Sequence, residues 1–327
     1  PNTKPVIQSK DVVSYIRSKS QPNLVEVHPI GAVTLDNKGQ ELTEMIDLHH
    51  SGAIAFSDGN KPIWHSDVFL KSLQYLQLFD GLLIDHPEDL HLTHSGQMNE
   101  GVVSTTLGLK GIPKLAEEVN VERDLKILEY TGGKLHLAHI TSPASVDLIR
   151  QAKAKGLHVT CDVAFYHLIL DDSLLTSFDT NLKVNPPLRT SSDIDALWAG
   201  LADGTIDVIV SEHTPQDIES KNLEFDLAEF GMIGLETFFG ALNNANRLSM
   251  EELVYKFTQR PREVLGMKVP VIEKGATANL TVFDPGIEWE FKEKDIRSKS
   301  KNSPFINQRL KGKAVAVFNK NQFILNQ

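Results

Sequence analysis

Short apolar runs alternate with amphipathic stretches along much of this chain, and this alternation constrains its fold more than any other feature. The apolar runs, which we predict to be strands, cover residues 25–30, 53–57, 82–85, 135–140, 158–163 and 206–211. The amphipathic stretches, which we predict to be helices, cover residues 10–18, 67–78, 115–130, 143–155 and 191–201. Nearly continuous apolar strands are typical of parallel sheets that are covered on both faces. Repeated strand–helix units therefore predict an α/β fold, either a doubly wound sheet or a (β/α)8 barrel.

The C-terminal part of the chain has a different character. After a last helix predicted over residues 250–265, residues 275–285 have the pattern of a turn and a strand, and residues 314–318 that of another strand. We therefore predict two regions, a (β/α) barrel over residues 1–268 and a small β appendage over residues 269–327.

The net charge and the cysteine content indicate which kinds of partner and which cellular compartment to expect for the chain. Its 327 residues include 33 Lys and Arg against 43 Asp and Glu, a formal net charge of −10. This acidic balance disfavours nucleic acid and anionic membranes, so a small-molecule substrate or a protein partner is expected. Cys161 is the only cysteine, which excludes an intrachain disulfide and fits a cytoplasmic protein. Because no apolar stretch approaches the roughly 18 residues of a membrane span, no membrane association is expected.

Side chains that can bind a metal follow several of the predicted strands. Asp58, His86, His139 and Glu212 each come at the end of one apolar run. Both candidate architectures place their sites at the carboxyl ends of the strands, so these side chains are expected to converge. Neutral imidazoles and carboxylates bind Zn²⁺, which lowers the pKa of a bound water toward about 7, and the set is therefore typical of a zinc hydrolase. His136 lies three residues before His139, so within one strand the two rings are expected to face opposite ways.

Several short motifs follow one another along almost the whole chain. In order, they are Pro1-Asn2-Thr3-Lys4-Pro5, His86-Pro87-Glu88-Asp89, Leu137-Ala138-His139-Ile140-Thr141-Ser142, Asn185-Pro186-Pro187-Leu188-Arg189, Asp203-Gly204-Thr205-Ile206-Asp207 and Phe230-Gly231-Met232-Ile233-Gly234-Leu235-Glu236-Thr237. Each motif is weak alone, but in this order they are specific. Together they resemble the bacterial class I dihydroorotases of the amidohydrolase superfamily.

The resemblance implies an eight-stranded barrel in which two zinc ions activate a water molecule. In that family the water opens the dihydroorotate ring to N-carbamoyl-aspartate, reversibly, within pyrimidine biosynthesis. At the matching positions of this chain, His86 and His139 are implied to be zinc ligands. Asn2 and Asn185 are implied to contact the substrate.

Three positions depart from the family pattern. Gly59 stands where the family has an aspartate that bridges the two metals, so Asp58 is expected to bind metal only if the backbone shifts. Glu212 replaces the catalytic aspartate that is both metal ligand and proton acceptor. Its extra methylene would move the carboxylate by about 1 Å, which is enough to cost orders of magnitude in rate. Gln216 replaces a histidine that contacts the substrate.

The His-x-His pair of the family's first strand does not occur in this sequence. Because the family has two strands before the turn that matches residues 1–5, we expect the first two barrel strands to be missing and Pro1 to be a truncation point. Three functions stay open: a dihydroorotase with further ligands upstream and at most a mononuclear zinc site, a catalytically silent homologue that is a structural partner of aspartate transcarbamoylase, and another cyclic amidohydrolase such as a hydantoinase or allantoinase. A homodimer is expected.

Overall fold

The computed structural model describes residues 1–21 and 23–326 as alternating helices and strands. The helices are α1 (Lys10–Ser20), α2 (Met45–Ser51), α3 (Ser66–Leu76), α4 (Val102–Leu107), α5 (Leu115–Thr131), α6 (Pro143–Ala154), α7 (Ser191–Ala202), α8 (Ile218–Lys221), α9 (Phe238–Ala245), α10 (Met250–Phe257) and α11 (Gln259–Val264). The strands are β1 (Leu82–Asp85), β2 (Met98–Asn99), β3 (Gly111–Ile112), β4 (Lys134–Leu137), β5 (Val159–Ala164), β6 (Val208–Val210), β7 (Asn279–Glu290), β8 (Arg309–Asn319) and β9 (Gln322–Leu325).

The helices predicted before residue 202 lie within two residues of α1, α3, α5, α6 and α7 at both ends. Local sequence explains their limits, because Pro143 opens α6 and Gly132 follows α5 directly. The helix predicted over residues 250–265 is instead two helices, α10 and α11. They are separated at Thr258, whose backbone leaves the helical region at φ −121° and ψ −69°.

Parallel strands form the centre of the molecule. β1, β4, β5 and β6 pair in that order, and all their pairings are parallel. Single parallel bridges extend this order, from Leu83 to Phe56 and from Phe56 to Gly31. The sheet is therefore curved, and its neighbouring segments follow one another in sequence order, from the residues around Gly31 to β6.

Four of the six strands predicted in this region are confirmed as β1, β4, β5 and β6. The regular strands predicted over residues 25–30 and 53–57 are wrong, since pairing there is limited to the bridges at Gly31 and Phe56. Pro29 gives one physical reason, because it has no backbone N–H to donate to a ladder.

The C-terminal strands form a separate antiparallel sheet in the order β7, β8, β9. β7 and β8 match the two predicted strands, whereas β9 was not predicted. The side-chain amide of Asn319 in β8 donates a hydrogen bond to the Leu24 carbonyl at 2.6 Å, which connects this sheet to the first part of the chain. The proposed division between residues 268 and 269 stays a prediction.

The core lies between the parallel strands and the helices. Leu83, Leu135, Leu137 and Cys161 are fully buried, as expected for strands that are covered on both sides. His136 belongs to the opposite face of β4 from Leu135 and Leu137, and this face looks into the curve of the sheet. In the part of the chain that the structure describes, no helix combines the length and the apolar character needed to cross a membrane.

Candidate active site

A cavity of about 560 Å³ opens at the carboxyl ends of the parallel strands. Its lining includes five of the residues singled out from the sequence, namely Asn2, His86, His139, Asn185 and Glu212. They lie up to 210 positions apart in the chain (residues 2 and 212) and come together because successive parallel strands end at one edge of the sheet. This convergence makes the cavity the candidate active site.

His86 comes directly after β1 and is buried. Its Nε2 atom lies 3.4 Å from an oxygen of Glu88, and the same carboxylate accepts a hydrogen bond from the Asn185 amide at 3.0 Å. Burial raises the pKa of Glu88, but His86 and Asn185 outweigh it, so the pKa of this carboxyl lies below its usual value. The Nδ1 atom of His86 is buried and has no hydrogen-bond partner within the described residues.

His139 does not belong to a strand, since β4 ends at Leu137. Its backbone has a φ of +58°, in the left-handed region that non-glycine residues rarely adopt. The expected opposite orientation of His136 and His139 is therefore wrong, because strand alternation does not extend to residue 139. Both rings instead reach Asp162 on β5.

Asp162 is the central acceptor of the site. Its carboxylate accepts hydrogen bonds from the backbone N–H of His139 at 2.8 Å and lies 2.9 Å from Nδ1 of the same residue. Its other oxygen lies 2.9 Å from Nε2 of His136. Burial opposes the charged form of Asp162, but His139 and His136 outweigh this effect and hold the pKa of the carboxyl far below its usual value.

Glu212 contacts the other side of the His139 ring. One of its carboxylate oxygens lies 3.0 Å from Nε2 of His139. Burial raises the pKa of Glu212, but His139 more than compensates and lowers it to about 2. Conversely, burial lowers the pKa of His139, but Glu212 and Asp162 together raise it well above the usual value. His139 is therefore held between two carboxylates, which favour its protonated form.

Gly59 lies at the edge of the cavity, beneath the side chain of Asn2. It has a φ of +72°, and a Cβ atom at this position would come 2.2 Å from Oδ1 of Asn2. A side chain at position 59 would therefore meet both backbone strain and the amide of Asn2. Where the family that the chain resembles has a carboxylate that bridges two metals, this chain has the side-chain amide of Asn2 above Gly59.

Two predicted site residues do not line the cavity. The Asp58 carboxylate accepts hydrogen bonds from the backbone N–H groups of Val33 and Thr34, both at 2.9 Å, and from the Thr34 hydroxyl. Burial raises the pKa of Asp58, and these hydrogen bonds oppose the rise. The Gln216 amide donates to the Phe230 carbonyl at 2.8 Å and borders a different groove. The roles predicted for Asp58 and Gln216 thus have no support from their positions.

The sequence reasoning missed Asp162 and His136. A signal for Asp162 was present, because it is a carboxylate inside a run of apolar residues that predicts a buried strand. A buried carboxylate needs partners of its own, so such a residue marks a buried polar network. For His136 the sequence carried no such signal. Its ring and that of His139 can share one acceptor because β4 ends at Leu137, which the sequence did not predict.

The zinc ions that the resemblance implies do not fit the residues present. Among residues 1–21 and 23–326, no three His, Cys, Asp or Glu side chains are grouped so that they could hold a metal ion. The rings of His86 and His139 have centroids 5.9 Å apart. Gly59 supplies no carboxylate between them. Of the residues that line the cavity, only His86 has a buried side-chain nitrogen or oxygen, Nδ1, with no hydrogen-bond partner among the described residues.

Comparison with known proteins assigns the chain to a family. The model of the amidohydrolase family matches residues 89–320, and that of the Dihydro-orotase-like family matches residues 1–145. The dihydroorotase of Pelotomaculum thermopropionicum is 45% identical over 316 residues, covering 95% of this chain and 74% of that protein. The dihydroorotase of Citrifermentans bemidjiense is 42% identical over 328 residues, covering 99% and 77%. The L-hydantoinase (dihydropyrimidinase) of Arthrobacter aurescens has a similar fold, with a TM-score of 0.85 over 99% of this chain and 76% of that chain, at 21% identity.

The fold and the position of its cavity define a barrel of the metal-dependent amidohydrolase class. This confirms the predicted α/β barrel with a C-terminal β sheet. Within that class, the chain belongs to the dihydroorotase family, as its identity of 42–45% to two of that family's members over most of its length shows.

Proposed function

We propose that this chain binds dihydroorotate and its open form, N-carbamoyl-aspartate, in the strand-end cavity, and that its own residues do not carry out the metal-dependent hydrolysis. The observation that carries the proposal is the donor set of the cavity: among the described residues, no three His, Cys, Asp or Glu side chains are grouped so that they could hold a metal ion, and Gly59 stands where the family has a bridging carboxylate. Of the metal ligands that the resemblance implies, the chain keeps His86 and His139 and has the longer Glu212 in place of an aspartate.

The chemistry of the cavity suits the binding of a cyclic amide. The side-chain amides of Asn2 and Asn185 both line it, and an amide offers a donor and an acceptor to the complementary groups of a dihydropyrimidine ring. Ile84, Val208 and Val210 supply an apolar wall. A concave, mostly apolar cavity with a few oriented polar groups is the usual form of a small-molecule site.

The residues around His139 also explain why hydrolysis is not expected from this chain. Hydrolysis of an amide requires an activated water, which this family obtains from a metal that the described side chains do not surround. The Glu212 carboxylate lies 3.0 Å from Nε2 of His139, so its free oxygen is not directed at a position that a metal-bound water would occupy between two ligands of this chain.

Binding and turnover measured on the same purified protein test the proposal. Isothermal titration with dihydroorotate is expected to show one site per chain, while the interconversion of dihydroorotate and N-carbamoyl-aspartate stays at background with and without added zinc. Asn185→Ala is expected to weaken binding, whereas Gln216→Ala serves as the matched control because its amide bonds to Phe230 away from the cavity. Turnover accompanied by two bound zinc ions per chain would show an active enzyme instead. Absence of any binding would reject the ligand.

The remaining expectations stay predictions. Partnership with aspartate transcarbamoylase is tested by mixing the two purified proteins and measuring the mass of the resulting particle. The same measurement on the protein alone tests the predicted homodimer. Metal analysis of the purified protein tests zinc, and fractionation of the cells that make it tests the cytoplasmic location.

A further inference from the structure

A series of hydrogen-bonded polar side chains crosses the interior of the curved sheet and ends in the cavity. It begins at the Thr160 hydroxyl, which lies 2.8 Å from Nδ1 of His136. The Nε2 atom of His136 lies 2.9 Å from Asp162, and Asp162 in turn lies 2.9 Å from Nδ1 of His139. The series ends where Nε2 of His139 meets Glu212 at 3.0 Å. Of these residues, Thr160, His136 and Asp162 belong to the strands β4 and β5.

Asp162 bonds to the backbone as well as to the ring of His139. The backbone of His139 is in the left-handed region at φ +58°, a strained conformation that persists only where its surroundings hold it. The Asp162 carboxylate supplies that hold, since one oxygen accepts from both the backbone N–H and the ring Nδ1. Two contacts to one residue determine both where its backbone lies and which way its ring points.

We propose that Asp162 is the positioning residue of this cavity: by holding the backbone and Nδ1 of His139, it directs Nε2 of that ring toward Glu212 and the ligand. This role depends on the proposed function only in that the cavity is taken as the ligand site. The hydrogen bonds to His139 and His136 come from donors alone, so a carboxylate satisfies them and an amide does not. In Asp162→Asn, the amide NH₂ would face one of these ring N–H groups, and the His139 ring would lose its fixed direction.

The experiment measures the ring of His139 directly by NMR on protein labelled with ¹⁵N-histidine. A hydrogen bond from an imidazole N–H to a buried carboxylate produces a far-downfield proton signal, so His139 is expected to give one from Nδ1–H, which faces Asp162, and one from Nε2–H, which faces Glu212. Both disappear in His139→Gln, and the ¹⁵N couplings within the ring distinguish one from the other. The Nδ1–H resonance, called the His139 signal from here on, is expected in the wild-type protein, lost in Asp162→Asn and kept in Thr160→Val. Thr160→Val is the matched control because it breaks the far end of the same series and leaves the contacts of Asp162 with His139 intact.

A second measurement links the orientation of the ring to the ligand. The affinity for dihydroorotate is expected to fall by about tenfold or more in Asp162→Asn and to stay close to the wild-type value in Thr160→Val. If Asp162 had only a structural role, Asp162→Asn would lower the thermal stability of the protein but would leave the His139 signal as it is in Thr160→Val. If Asp162→Asn does not fold, Asp162→Glu keeps the charge and moves the acceptor by one methylene, which is expected to shift the His139 signal.

The outcomes separate this proposal from the proposed function. Persistence of the His139 signal in Asp162→Asn, or an unchanged signal in Asp162→Glu, overturns the positioning role whatever the ligand is. Absence of the signal from the wild-type protein overturns it too. If the signal behaves as expected but dihydroorotate does not bind, the positioning role holds and the proposed ligand is rejected.

Discussion

Two carboxylates meet behind the candidate site, and replacing one of them is expected to stabilise the protein at neutral pH. Asp85 in β1 and Asp124 in α5 are both fully buried. Arg123 donates to one oxygen of Asp124 at 2.8 Å and 2.5 Å, and the backbone N–H of Ile63 donates to one oxygen of Asp85 at 3.1 Å. The remaining oxygen of each aspartate has no donor among the described residues. One proton between the two carboxyls satisfies both.

The pH dependence follows from the pKa of Asp124. Burial, followed by the charge of Asp85, raises this pKa well above its usual value, and Arg123 only partly opposes the rise. A carboxyl whose folded pKa is raised contributes stability that is complete below its unfolded pKa of about 3.9 and is lost as the pH rises through the folded pKa. The contribution of Asp124 to the free energy of unfolding therefore falls as the pH rises above about 4.

Asp124→Asn removes the need for a proton. Its amide can donate to Asp85 and accept from Arg123, so both buried oxygens keep a partner at every pH. An unsatisfied buried polar atom costs about 1–3 kcal/mol, and this is the gain in free energy of unfolding expected at pH 8. For a chain of this size, the melting temperature would rise by roughly 2–6 °C.

Urea unfolding followed by circular dichroism from pH 3.5 to pH 8 checks this reasoning. The difference between Asp124→Asn and the wild type is expected to be near zero at the acid end and to grow with pH. Asp67→Asn is the control, because Asp67 is exposed and only pairs with Lys71 on the surface of α3. The reasoning is refuted if Asp124→Asn is less stable than the wild type at pH 8, or if its advantage is the same at all pH values.

Other substitutions test the fold around the cavity. Phe56→Ala is expected to lower the free energy of unfolding by about 3–5 kcal/mol in denaturant titrations, because the ring is fully buried where two strand segments meet. Asp58→Ala is expected to cost about 2–4 kcal/mol through its unpaired backbone N–H groups and to leave dihydroorotate affinity unchanged; a large loss of affinity would instead support a role in the site. Gly59→Ala is expected to cost about 1–3 kcal/mol by thermal unfolding, more than Gly204→Ala, which has a positive φ but open space around it. Burial lowers the pKa of Lys221 to about 8, so its contribution should make the wild type more stable as the pH rises from 8 to 10.5, and this slope should be absent from Lys221→Met.

Much of the fold was readable from local sequence because the five longest helices and most strands carry their own pattern, whereas the shorter helices α2, α4, α8 and α9 were not predicted. α5 was predicted to within one residue, since an amphipathic run ends at Gly132. β1 was predicted at its observed limits, because the apolar run stops at Asp85. The strands predicted over residues 25–30 and 53–57 failed, since pairing with a neighbour, and not apolar character alone, makes a strand.

The sequence by itself determined the order of the strands, the residue types that follow them and the family to which the chain belongs. These properties are local, or follow from the order of motifs such as the ones that contain His86, His139 and Asn185. Only the tertiary structure decided which of these side chains face the cavity. The Asp58 carboxylate accepts hydrogen bonds from the backbone of Val33 and Thr34, and Asp162 is the shared acceptor of two histidines. The physical reason is that a buried carboxylate takes the donors that packing brings to it, and those donors lie on other segments of the chain, far away in the sequence.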